Sequence, residues 1–199
     1  NGAGKSTLLN IMGALDKPTS GKVILDGADL GGLDDKQLAL IRNTRIGFVF
    51  QLHHLLPQCT VLENVLIPTL AGGGHEDRSL ARIRALGLLE RVGLMETAKR
   101  RPGELSGGQR QRAAVVRALI NKPAIILADE PTGNLDSKSG QQIMEILQGL
   151  NDEKHTIILV THELYTAEMA KRIIKLKDGQ LVSDGTVKER KIAKNGLIK

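Results

Sequence analysis

Ala124-Ile125-Ile126-Leu127-Ala128-Asp129-Glu130 is a short aliphatic run that ends on two adjacent carboxylates. A run of this length between polar segments fits a buried strand. Thr156 to Val160 repeats the pattern and leads to His162, while Ile46 to Phe50 leads directly to Gln51. Between the first two runs, Ile143, Ile146, Leu147 and Leu150 recur at helical spacing and mark an amphipathic helix. Strands alternating with helices argue for an α/β fold with a parallel central sheet. Ligands of such sheets bind beyond the carboxyl ends of the strands, where Asp129 and Glu130 fall.

Outward from these strands, Leu8, Leu9, Ile11 and Met12 suggest an early helix, and Lys36 to Arg42 a second. Val23 to Leu25 reads as a strand closed by the Asp26-Gly27 turn. Ile173 to Leu176 and Gln180 to Val182 flank Asp178-Gly179 and predict a hairpin. From Leu52 to Arg112 the character is mainly helical. Thr60 and Glu63 have capping-box spacing, and Pro68 is expected to end or bend the helix that they start. Gly72, Gly73 and Gly74 mark a loop. Leu80, Ile83, Leu86 and Leu89 then recur on one helical face, with Gly93 as a stop signal. The expected organisation is one domain, with residues 1–51 and 113–199 forming its core and 52–112 a helical insertion.

Composition narrows the function classes. Phe48, Phe50 and Tyr165 are the only aromatic residues, so single-strand nucleic-acid binding by base stacking is poorly supported. The net charge of +6 is first of all a solvated surface, although Lys188, Arg190, Lys191 and Lys194 would also suit an anionic membrane or nucleic acid. Cys59 is the one cysteine, so no intrachain disulfide can form, as suits a reducing compartment. No apolar run approaches the roughly 20 residues that span a bilayer.

Gly2-Ala3-Gly4-Lys5-Ser6-Thr7 matches the later part of the pattern G-x-x-x-x-G-K-[ST]. Glycines let backbone amides curl around phosphate oxygens, and the helix that follows adds its positive end. Lys5 can reach the β and γ phosphates of a nucleotide, and the Ser6 hydroxyl can ligand Mg²⁺. A glycine-rich turn capped by Ser6 is the plainer alternative. The first glycine of the pattern is expected two positions before Asn1, together with the strand that feeds the loop. Asp129 can hold Mg²⁺, usually through water, and Glu130 can orient or deprotonate an attacking water. Two acidic residues after a strand are common; their partnership with Lys5 and Ser6 is what makes them informative.

Leu105-Ser106-Gly107-Gly108-Gln109 precedes Arg110-Gln111-Arg112. Ser106 and Gln109 have capping-box spacing, and a capped helix start with adjacent glycines is also an anion-binding device. Here the chain resembles the ABC ATPases, whose signature is LSGGQ. The resemblance implies an α/β P-loop NTPase with a RecA-like core and an inserted helical subdomain, its amino-terminal strands expected ahead of Asn1 and missing here. It further implies that Ser106, Gly107, Gly108 and Gln109 contact a nucleotide held by the phosphate loop of a second subunit. Gln51 resembles the Q-loop glutamine, which senses Mg²⁺ and the attacking water. Asn134-Leu135-Asp136 resembles the D-loop at the dimer interface, and His162 the switch histidine at the γ-phosphate.

Within the family, Gln51 to Pro57, Thr60 to Val65 and Glu130 to Asp136 resemble the branch of lipoprotein-releasing and macrolide-export ATPases. The His53-His54 pair has no evident third metal ligand. By resemblance it belongs to a loop that receives the coupling helix of a membrane partner. The implied function is an ATP-binding and hydrolysing subunit, a homodimer or paired with another ATPase, working on a transmembrane permease at the cytoplasmic face of the inner membrane. ATP and Mg²⁺ are the implied cofactors, and no nucleic-acid partner is expected. The alternative is a soluble ABC ATPase acting on nucleic acid or ribosomes. Relatives of that kind usually carry a long coiled coil or two cassettes; the 55 positions from Gln51 to Ser106 leave no room for a coiled coil, and a single cassette is expected.

Overall fold

The computed structural model describes residues 3–71 and 77–195. Gly2 and the Gly72 to Gly74 loop therefore lie outside the described residues. The elements run α1 (Lys5–Met12), β1 (Ile24–Leu25), β2 (Ala28–Asp29), α2 (Asp35–Arg45), β3 (Ile46–Phe50), α3 (Val61–Leu70) and α4 (Arg78–Arg91). They continue with α5 (Gly107–Leu119), β4 (Ile125–Asp129), α6 (Ser137–Asp152), β5 (Thr156–Val160), α7 (Leu164–Ala167), β6 (Arg172–Lys177) and β7 (Gln180–Thr186).

The three aliphatic runs form one parallel sheet in the order β3-β4-β5. Ile126, Leu127 and Ala128 are fully buried in its middle strand, because helices cover both faces. On one side, Ile126 and Ala128 pack with Ile143, Met144, Leu147 and Leu150 of α6. On the other, Leu127 meets Leu9 of α1, as well as Ile46 and Val160. Gly47 is required where α5 crosses β3: a Cβ there would sit 2.5 Å from the carbonyl oxygen of Ala118.

Both short hairpins turn on residues with positive φ, Asp26-Gly27 between β1 and β2, and Asp178-Gly179 between β6 and β7. Thr60 and Glu63 make the reciprocal capping box that starts α3. Pro68 neither stops that helix nor leaves it short; α3 runs on to Leu70.

One expected helical face is revised. In α4 the buried positions are Ala81, Ala85 and Leu89, with Leu86 and Leu88 half buried against the same cluster. Leu80 and Ile83 point outward and are 57% and 66% exposed. The two alanines explain the rotation, because their small side chains let α4 come close to its neighbours. The expected insertion boundary at residue 112 falls inside α5, which runs unbroken from Gly107 to Leu119.

Candidate functional site

Register fixes the site. Phe50 pairs with Asp129 and Asp129 with Val160, so the three parallel strands end level. Gln51, Glu130 and His162 consequently leave the sheet at one edge. Packing of α1 on β4 and β5 carries Lys5 and Ser6 to the same edge. There the Ser6 hydroxyl donates to Asp129 Oδ1 at 3.2 Å. The Glu130 carboxylate lies 2.7 Å from His162 Nδ1.

Local backbone chemistry prepares each group. Gly4, at φ 80°, turns the chain into α1, and no side chain caps that helix. Its first turn also contains no acidic residue, so its amides and its positive end remain open to an anion. Ala3 is held by a bond from the Gly179 amide, 3.3 Å from its carbonyl oxygen. Glu130 has φ 45°, a region costly for a residue with a Cβ, on the order of 1–3 kcal/mol. Two backbone bonds hold it there: its amide donates to Val160, and its carbonyl accepts from Gly133.

Gln51 Nε2 donates to Asn134 Oδ1 at 3.1 Å, joining the end of β3 to the segment before α6. Gly133 makes room for this bond, since a Cβ would lie 2.8 Å from the Gln51 amide nitrogen. Asp136 caps α6 by accepting from the Ser139 amide and hydroxyl at 2.9 and 2.7 Å. Chiefly the backbone bond, and then the hydroxyl, hold its carboxyl below the ordinary value.

Ser106, Gly107, Gly108 and Gln109 are placed elsewhere. Ser106 and Gln109 close a capping box at the start of α5, whose first turn again carries no acid. Gly108 lies against α6, where a Cβ would be 2.6 Å from Ser139 Oγ. The sequence-expected residues thus form two groups. Lys5, Ser6, Gln51, Asp129, Glu130 and His162 share the strand-end edge, with Thr7 next to Ser6 in α1, and Ser106 to Gln109 form the start of α5, where Gly108 lies against α6.

Several supporting residues escaped the sequence reading. Buried Asn64 donates to Leu56, Cys59 and Thr60 carbonyls and accepts from the Leu56 amide, shaping the loop before α3. Buried Gln111 donates to the Phe50 carbonyl, and Arg110 Nε to His53 Nε2. A polar residue on the apolar face of a predicted helix was the available signal for Asn64 and Gln111. Burial, followed by the Arg110 charge, lowers the His53 pKa and keeps its ring neutral and able to accept. Among the described residues, no group of three His, Cys, Asp or Glu side chains is placed to hold a metal ion. The hydroxyl, carboxylate and amide oxygens of Ser6, Asp129 and Gln51 are nevertheless the hard donors that suit Mg²⁺, which usually keeps waters and phosphate oxygens as its other ligands.

Comparison with known proteins agrees with this geometry. A family model described as ABC transporter matches residues 1–133. The lipoprotein-releasing system ATP-binding protein LolD of Aquifex aeolicus is 46% identical over 186 residues, covering 94% of this chain and 82% of LolD. The macrolide export ATP-binding/permease protein MacB of Shewanella oneidensis is 50% identical over 184 residues, which cover 92% of this chain but only 28% of MacB. A dimeric structure of MJ0796, described as a bacterial ABC transporter cassette, is 47% identical with a TM-score of 0.86, covering 95% of this chain and 83% of that one. A second dimeric structure of that cassette, in a post-hydrolysis state bound to ADP and Pi, gives a TM-score of 0.85 at 46% identity, with coverage of 94% and 82%. The chain belongs to the ABC transporter family and is one of its ATP-binding cassettes.

Proposed function

We propose that this cassette hydrolyses ATP to ADP and phosphate and that a membrane partner converts the cycle into export or lipoprotein release. The observation that carries this reading is the level ending of β3, β4 and β5, which gathers Ser6, Asp129, Glu130 and His162 beneath the uncapped start of α1.

In this arrangement the amides of Gly4 to Thr7 and the Lys5 ammonium hold the β and γ phosphates. Ser6, Asp129 and Gln51 are the residues that would hold Mg²⁺, which when bound neutralises charge on the phosphates. Glu130 orients the attacking water and accepts its proton, and His162 keeps the carboxylate aimed while facing the γ-phosphate. Residues 1–51 and 113–199 make up the nucleotide core, and 52–112 the signature subdomain. Ser106 to Gln109 and Asp136 serve the nucleotide of a paired subunit, in line with the dimeric relatives. ATP closes the pair and hydrolysis releases it.

No described helix is long and apolar enough to cross a membrane, and coupling to transport passes through the surface of a permease. The receiving loop on this chain is His53 to Pro57, where Leu56, and Leu52 just before it, expose apolar side chains. Association is peripheral, on the cytoplasmic face of the inner membrane. The names of the relatives give no support to action on nucleic acid or ribosomes.

The test is phosphate release by the full-length protein, alone and reconstituted with its permease in vesicles. Turnover that the permease and its cargo stimulate is expected. Absence of ATP hydrolysis in both preparations would overturn the assignment.

A further inference from the structure

Away from the strand-end site, a set of polar contacts joins α5 to the residues on either side of Gln51. Gln111, 2% exposed, donates Nε2 to the Phe50 carbonyl at 2.8 Å. Arg110 donates Nε to His53 Nε2 at 2.7 Å, and Nη1 to the Leu105 carbonyl at 2.6 Å and that of Pro102 at 3.4 Å. Two turns along the helix, Arg117 donates to the carbonyls of His53 at 2.8 Å and His54 at 2.5 Å. Phe50 and His53 are thereby both fastened to one helix, and only Gln51 and Leu52 lie between them.

Arg110 is the pivot of this set. It stands in the first turn of α5, immediately after Gln109, and one guanidinium ties together the residues before Ser106, the helix that Ser106 caps, and the segment after Gln51. Charged donors of this kind make stronger bonds than neutral ones. From its other side Gln51 reaches Asn134, ahead of the α6 cap at Asp136.

We propose that Arg110, acting through His53, is a positioning residue that makes the Gln51 segment and the Ser106–Gly108 helix start move as one body. Occupancy at Gln51 in one half-site is then felt at the signature that faces the partner's nucleotide. The proposal rests on the ATPase reading above. Neither Arg110 nor His53 is placed on the nucleotide held by its own chain, so the bond acts on turnover and leaves binding in place.

The experiment uses the full-length protein with His53→Leu, His53→Gln, Arg110→Met and the His53→Leu/Arg110→Met double substitution. Affinity is measured with a fluorescent ATP analogue, kcat and KM from phosphate release, and folding from thermal melts. His53→Leu should lower kcat about five- to tenfold, the lower part of the usual range for coupling between sites, with affinity and KM nearly unchanged. His53→Gln keeps a neutral acceptor for Arg110 and should recover most of the turnover. Arg110→Met also removes the bonds to Leu105 and Pro102, so the double variant should lose more than His53→Leu but less than the product of the two single losses. The proposal is overturned if His53→Gln is as slow as His53→Leu, if the single losses multiply in the double variant, or if KM rises while kcat holds. Should His53→Leu melt early, His53→Gln against Arg110→Met provides the same contrast. A wild-type protein without turnover removes the ATPase reading itself, whereas normal turnover in every variant removes only the coupling.

Discussion

The Glu130 carboxylate lies 2.7 Å from His162 Nδ1, across the ends of two adjacent parallel strands. The two strands end level, Glu130 one residue and His162 two residues beyond those ends, and two backbone bonds hold Glu130 in a left-handed conformation. In the ATPase reading this places the water-activating group and its orienting partner in one unit.

Glu130→Gln keeps the shape and the bond to His162 but removes the proton acceptor. Steady ATP turnover should drop at least about a hundredfold, as expected for loss of general base catalysis. ATP-dependent dimers should then persist on size-exclusion chromatography. Unchanged turnover would remove Glu130 from the proposed role.

Gly47 has no room for a side chain, because the Ala118 carbonyl occupies the place of a Cβ. Gly47→Ala must push α5 from β3 and should cost about 1–3 kcal/mol, as overpacking of cores does. A lower denaturation midpoint with unchanged slope is the expected result. A midpoint equal to wild type would mean that α5 yields without cost.

Asn64 is wholly buried and satisfies three carbonyls and one amide in the loop ahead of α3. Asn64→Leu takes the side-chain partner from the Leu56 amide and the Cys59 carbonyl, while the Leu56 and Thr60 carbonyls keep backbone donors, and should destabilise by about 1–3 kcal/mol. Hydrogen exchange of the Leu56 amide should quicken more than that of β4 amides. Equal protection at Leu56 in both proteins contradicts this account of the loop.

Two helix caps predict an acid limb of stability. Thr60 bonds hold the Glu63 carboxyl below its ordinary 4.5, and Ser139 bonds hold Asp136 below 3.8. Both values are depressed in the folded state. Their contribution is therefore present above the unfolded values and lost as pH falls through the folded ones. Urea midpoints should decline below about pH 4, and Glu63→Gln with Asp136→Asn should flatten that decline. A slope that survives both substitutions places the acid sensitivity elsewhere.

The sheet was legible because strands such as Ile125 to Asp129 are buried on both faces and appear in sequence as unbroken aliphatic runs. Caps were legible because Thr60 with Glu63 and Ser106 with Gln109 are local pairs. The site edge followed from what stands directly after each strand. The face of α4 was not legible. Leu80 and Ile83 fit the helical period, yet Ala81 and Ala85 take the contact because closeness of approach, not hydrophobicity alone, decides which side packs. The Arg110–His53 bond was hidden for another reason. Its partners lie far apart in the chain, and only the path of α5 across β3 brings them together.

The order of pairing in the sheet also bears on how the molecule assembles. Ile46 must find Ile125, with all of α3, α4 and α5 intervening in the chain. A disordered segment of that length makes strand closure entropically slow. Helices form from near neighbours and need no such search. Once α3 packs on α5, and α5 lies on β3, the chain has been led back to Arg45, whose carbonyl accepts from the Ala124 amide at 2.9 Å. Synthesis from the amino end makes β3 before β4, and α3, α4 and α5 are the elements made in that interval.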